Sequence, residues 1–110
     1  MIRKEFVNVK GKPTARVTFA LPAGSYCADI HLVGDFNNWD RTSHPLQKDA
    51  HGIWTLTVDL EPQRTYQFRY LRDGLEWMCD SEADAYIYSP QGAHSFVVVT
   101  DPNFKRYDRA

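Results

Sequence analysis

Trp39 stands in the run Gly34-Asp-Phe-Asn-Asn-Trp39-Asp40, directly after the alternating stretch Ile30-His-Leu-Val33. A loop rich in Gly, Asn and Asp supplies turns and left-handed backbone. A large indole between Asn38 and Asp40 has no alternation to carry it into a core, so it is placed to touch something. Trp77 is a second candidate for recognition by an aromatic face, on the return from the Asp73-Gly74 turn, with Arg69 shortly before it. Catalytic signals are weaker. Asp80, Glu82 and Asp84 alternate as carboxylates do in a calcium loop or a paired-carboxylate hydrolase. The stretch lacks the Gly and the closing Glu of an EF-hand, and it reads as a solvated turn. His31, His44, His51 and His94 have neither the close pairing nor the Cys spacing of zinc ligands. No Ser/His/Asp set, phosphate-binding glycine loop or dinucleotide fingerprint is present. The expectation is a protein without metal, cofactor or catalytic residues.

The elements that must position these residues are strands. Period-two alternation dominates, and no stretch keeps apolar residues at helical spacing. Val17, Phe19 and Leu21 alternate with Arg16, Thr18 and Ala20, and Pro22-Ala-Gly-Ser ends that strand. Ala28, Ile30 and Leu32 share the inward face of a second strand, which leaves His31 outward. Trp54, Leu56, Val58 and Leu60 alternate with Thr55, Thr57 and Asp59, which assigns Trp54 to the core. Tyr66, Phe68 and Tyr70 fall on one face and Gln67, Arg69 and Leu71 on the other, so the aromatics fill the core and Arg69 points out. Asp73-Gly74 predicts a hairpin turn. Phe96-Val-Val-Val-Thr100 is a short apolar run of the kind a sandwich buries on both sides, and Asp101-Pro102 closes it. About seven short strands with regular turn signals predict an all-β, immunoglobulin-like (early-set) sandwich of antiparallel strands. The predicted core contains Phe19, Ile30, Leu32, Trp54, Leu56, Val58, Phe68, Tyr70 and Val98. One domain is expected at residues 15–102, with residues 1–14 an arm or an edge strand (Phe6-Val-Asn-Val) and 103–110 a charged tail.

The 110 residues suit one such domain, and 43% hydrophobic with 14% aromatic content builds one core. A net charge of −1 with scattered charges argues against nucleic acid or an anionic membrane as partner. No apolar run approaches the roughly 20 residues that span a bilayer. The N-terminal Met1-Ile-Arg-Lys-Glu-Phe6 does not resemble a signal peptide, so a cytoplasmic location is expected. Cys27 and Cys79 are expected to be reduced, half-buried thiols.

Gly34-Asp-Phe-Asn-Asn-Trp39 resembles the Gly-x-Phe-Asn-x-Trp signature of the glycogen- and starch-binding early-set domains (carbohydrate-binding module family 48). These domains occur at the N-terminus of isoamylases and branching enzymes and in the β subunit of AMP-activated protein kinase. Tyr66-Gln-Phe-Arg-Tyr-Leu-Arg-Asp-Gly-Leu-Glu-Trp77 is similar to their second signature, and the likeness covers residues 28–100. The resemblance implies the same sandwich and a non-catalytic surface for α-1,4-glucan. Trp39 and Trp77 would stack on the sugar, Arg69 would stand where the family has a hydroxyl-binding lysine, and Asn38 would lie beside them. Aromatic faces suit this role because they pack on the C–H face of a pyranose, with donors at the rim for its hydroxyls. The family's next loop carries Leu, Thr and Asn where this chain has Gln91, Ala93 and Ser95 around Gly92. Gln91 and Ser95 retain hydroxyl-bonding groups, with His94 a weaker candidate. One extra residue, the Leu75-Glu76 pair in place of one, precedes Trp77. The expected partner is an α-glucan polysaccharide or oligosaccharide, with a glycogen-metabolism enzyme or another protein as a further partner. The alternative is a regulatory or interaction domain whose aromatic surface or sheet edge docks on a protein.

Overall fold

A computed structural model describes residues 1–21, 27–78, 80, 82–88 and 94–104, with backbone only for residues 88 and 94–96. Its strands are β1 (Ile2–Val9), β2 (Lys12–Leu21), β3 (Ile30–Gly34), β4 (Gln47–Lys48), β5 (Trp54–Leu60), β6 (Thr65–Arg72), β7 (Glu76–Met78), β8 (Ala85–Tyr88) and β9 (His94–Val99). One sheet has the order β1-β2-β5-β4. The other has β3-β6-β9-β8, with β7 pairing on β6 beyond the end of β9. All pairings are antiparallel. The fold is therefore the all-β sandwich that the alternation predicts, with β4 and β7 as additional short strands.

β1 pairs with β2 along its whole length, from Ile2↔Phe19 to Val9↔Lys12, and β2 begins inside the stretch 1–14 that the sequence sets apart. Lys10 (φ 52°) and Gly11 (φ 80°) close this hairpin with two left-handed residues. Such a turn matches the right-handed twist of the strands it joins.

The core lies between the sheets. Ala15, Val17, Phe19, Ile30, Leu32, Phe68, Tyr70 and Val98 are fully buried. Phe19 meets Phe68 edge-on with ring centroids 5.2 Å apart, and Phe68 meets Tyr70 edge-on at 5.6 Å. Trp54 is buried, as its alternation requires, while Leu56 and Val58 are half-buried against this cluster. Ala28 departs from expectation. It precedes β3 and is exposed, because its backbone N–H and that of Asp29 are held by the Asp73 carboxylate at 2.8 and 3.1 Å.

The acidic stretch also departs from the solvated turn. Asp80 is 4% exposed and accepts the phenol hydroxyl of core Tyr70 at 2.8 Å and the Glu82 N–H at 2.9 Å. Burial and this carboxylate together push the Tyr70 phenol well above its ordinary pKa. Asp84 pairs with Lys4 at 2.6 Å and accepts the Val99 N–H at 2.7 Å. Asp84 thus joins the two sheets, while Asp80 is committed to Tyr70 and to its own turn.

Candidate functional site

The loop after β3 is anchored by two inward-facing side chains that the sequence reading did not assign. Phe36, in the 3-10 turn (Asp35–Asn37), packs on the core and lies 6.1 Å from Phe19 between ring centroids. Asn37 pins the loop to its own strand. Its Oδ1 accepts the Gly34 N–H at 3.0 Å, and its Nδ2 donates to the Leu32 carbonyl at 3.0 Å and reaches His44 Nδ1 at 3.1 Å. Residues 44–46 then return along β3, with Leu32 N–H on the His44 carbonyl and Leu46 N–H on the Ile30 carbonyl, both at 2.8 Å. Gly34 is required by space: a Cβ there would meet the Gln67 carbonyl at 2.5 Å and the Phe36 ring at 3.0 Å.

With the loop closed this tightly, Asn38 and Trp39 occupy two successive left-handed conformations, φ 56° and φ 57°. Asn tolerates that region; a bulky indole rarely enters it. Two hydrogen bonds of its own hold Trp39 there. Its backbone N–H donates to the Gly34 carbonyl at 2.9 Å, and its Nε1 donates to Asp35 Oδ1 at 3.0 Å. The other Asp35 oxygen accepts the Gln67 N–H of β6 at 2.8 Å, so one carboxylate ties the indole to the neighbouring strand. The ring is half-buried, and its polar edge is used up within the loop. Asn38 is exposed and its side-chain amide makes no hydrogen bond among the described residues. Asp40, next along, accepts the backbone N–H of Thr42 at 2.8 Å and its hydroxyl at 3.0 Å, and these bonds hold its carboxyl below the usual range.

Trp77 reaches the same region from β7. The turn Asp73-Gly74-Leu75 has φ of 52° and 70° at its first two residues, and it sets Leu71 opposite Trp77 and Arg72 opposite Glu76. The extra residue before Trp77 is thereby absorbed in a three-residue loop, with Leu75 exposed at its tip. Leu71, Arg69 and Gln67 alternate outward along β6, and Val33 of β3 pairs with Arg69 on the same outer face. Val33 and Leu71 are buried although they face away from the core. They form an apolar floor that the longer Arg69 and Trp77 side chains cover. The Arg69 Cζ lies 4.5 Å from the centroid of the Trp77 ring. Burial lowers the affinity of this guanidinium for its proton below the ordinary value.

Arg41, two residues beyond Trp39, places its Cζ 5.3 Å from the same Trp77 ring. This contact brings the Trp39 loop up to the β6–β7 hairpin. The sequence carried no signal for it, because the approach is through space and exposed arginine follows no periodicity. Arg69 and Trp77 therefore meet on the outer face of the second sheet with Arg41 joining them, and Asn38 and Trp39 stand on the loop that carries Arg41. Gln91 lies outside the described residues. Ser95 and His94 lie in β9, of which only the backbone is described at those positions. His31 is half-buried on the outer face of β3, and Cys27 is half-buried with its thiol pKa raised chiefly by burial; Cys79 is outside the description. No helix among the described residues is long and apolar enough to cross a membrane, and no group of three metal-ligating side chains occurs among them.

The family model for carbohydrate-binding module 48 (isoamylase N-terminal domain) matches residues 8–103. The 1,4-alpha-glucan branching enzyme GlgB of Photobacterium profundum is 32% identical over 107 residues, covering 94% of this chain and 15% of that enzyme. The 1,4-alpha-glucan-branching enzymes of Dictyostelium discoideum and Aspergillus oryzae are 50% and 59% identical over 30 and 27 residues, covering 27% and 24% of this chain and 4% of each enzyme. The chain thus spans a small part of the length of these relatives. On the match over residues 8–103, the chain belongs to the carbohydrate-binding module 48 family of isoamylase N-terminal domains.

Proposed function

We propose that this chain is a non-catalytic module for α-1,4-glucan, of the glycogen or starch type, binding on the outer face of the second sheet. Trp39 and Trp77 are its stacking platforms, and Arg69 and Asn38 are hydroxyl-bonding groups at their rim. Gln91, and Ser95 near the start of β9, extend the site. The observation that carries this reading is the conformation of Trp39. An indole held in a left-handed backbone, with its N–H taken by Asp35 and its ring kept out of the core, is a costly way to fill space and a direct way to present a flat face. Support for the ligand comes from family membership and from relatives named for 1,4-α-glucan.

Native gels with glycogen or amylose in the matrix test the reading. Mobility should fall in proportion to polysaccharide concentration, with Kd of roughly 10 μM to 1 mM, since a shallow face must still offset the cost of association. For a neutral glucan, moderate salt should leave the retardation unchanged, because stacking and hydroxyl bonds are not screened as charge pairs are. Unaltered mobility in both polysaccharides would remove the glucan reading and leave protein docking in its place.

A further inference from the structure

Two guanidinium groups converge on one indole. With Cζ atoms 4.5 and 5.3 Å from the Trp77 centroid, Arg69 and Arg41 lie within about 10 Å of one another. That is about one Debye length at physiological salt, so their repulsion is only partly screened. Elsewhere on the surface Arg16, Arg64 and Arg72 each pair with an acid: Asp59, Glu61 and Glu76. Arg41 and Arg69 form no ion pair and no hydrogen bond among the described residues.

One guanidinium can serve a neutral sugar's hydroxyls as a donor, as Arg69 does in the glucan reading; two uncompensated like charges beside one ring also suit an anion. A guanidinium over an aromatic face gains cation–π attraction and keeps its N–H donors in its own plane, where a planar or tetrahedral oxyanion accepts them in a fork. Arg69 is half-buried over an apolar floor, so its charge has lost hydration that an anionic ligand would replace.

Resting on the glucan reading above, we propose that Arg41, Arg69 and Trp77 form a subsite for the phosphate monoester of a phosphorylated hexose, carried on the glucan or as a free sugar phosphate. The sugar ring packs against the half-buried Trp77 indole and the phosphate oxygens accept from both guanidinium groups. The phosphate carries about −1.5 to −2 charges at neutral pH, which matches the two cations.

Affinity gels and calorimetry decide it, using phosphorylated amylopectin, the same amylopectin after phosphatase treatment, and glucose 6-phosphate. The phosphorylated polymer should bind about tenfold tighter than the treated one, as expected for charge-assisted pairs. That preference should collapse toward unity in about 0.5 M salt, where the screening length is only a few ångströms. It should also collapse in Arg41→Gln, whose unfolding midpoint is measured alongside to exclude loss of fold. Competition by glucose 6-phosphate at an affinity matching the polymer's phosphate gain identifies a free sugar phosphate as the source; absence of competition assigns the phosphate to the polymer. Equal binding of the two amylopectins with no binding of glucose 6-phosphate overturns the subsite and leaves the neutral glucan reading standing. Glucose 6-phosphate binding without any polymer binding keeps the subsite and removes the glucan reading. No binding of all three overturns both.

Discussion

At the scale of single residues, Trp39 separates stability from binding, because the backbone and the ring make opposite demands. Its φ of 57° suits glycine, which enters that region without the roughly 1–2 kcal/mol steric cost of an L side chain. Trp39→Gly relieves that strain and loses the Nε1 bond to Asp35, whose other oxygen still holds the Gln67 N–H. Glycine's larger unfolded-state entropy offsets part of the gain. The unfolding midpoint of Trp39→Gly should therefore stay within a few degrees of the parent, less than about 1 kcal/mol, while glycogen binding weakens by roughly 10- to 100-fold, as for an interface anchor. A drop in stability above about 2 kcal/mol would instead make the indole a structural plug, as large losses come from packing and buried polar groups. Trp39 was legible in the sequence as a loop tryptophan, since neither neighbour could share an apolar face with it. Its left-handed conformation was not, because that follows from the closure of the loop between Gly34 and His44 rather than from the residue's own preference. Arg41 was illegible for a related reason: nothing in its neighbourhood along the chain records that β7 passes beside it.

The elements decide whether such residues stay in place, and the loop at residues 34–44 is only as rigid as its inner pins. Gly34→Ala puts a methyl 2.5 Å from the Gln67 carbonyl and 3.0 Å from the Phe36 ring. The strand pair must part or Phe36 must leave the core, a cost of roughly 1–3 kcal/mol for overpacking. Asn37→Asp keeps an acceptor for the Gly34 N–H but can no longer donate to the Leu32 carbonyl. An orphaned carbonyl facing a carboxylate should cost about 1–3 kcal/mol in a urea titration. Both variants should weaken glycogen binding through displaced Trp39, with a changed tryptophan emission spectrum; unchanged emission together with unchanged binding would show that the pins do not set the ring. Strands carrying an alternating pattern were readable at this scale. β6 presents Phe68 and Tyr70 to the core and Arg69 to the outside because a shift by one residue would bury the guanidinium and expose two aromatics. Short strands were not readable, since the two residues of β4 and three of β7 hold too little pattern to have a period. The first hairpin was hidden too, because Lys10-Gly11 is a less recognisable turn pair than Asp73-Gly74.

For the whole molecule, the distribution of carboxylates sets the response to acid. Asp40 is held below the ordinary carboxylate pKa by the backbone N–H and hydroxyl of Thr42, Asp49 by the N–H groups of Ile53 and His51, and Asp59 by its hydrogen bonds to Arg16. They sit in three separate places: the loop beside Trp39, the turn between β4 and β5, and the outer face of the first sheet. A carboxylate whose pKa is depressed by folding contributes stability that is complete above its unfolded value of about 4 and is lost as pH falls through the folded value. The unfolding midpoint should accordingly be nearly level from about pH 7 to 5 and then decline below about pH 4. Asp49→Asn is the informative variant because its amide oxygen still accepts both N–H bonds while its charge is absent at every pH. It should have a shallower acid slope with a similar midpoint at neutral pH, and combining it with Asp40→Asn and Asp59→Asn should flatten the slope further. A triple variant that keeps the parent's full acid decline would assign that decline to other carboxylates.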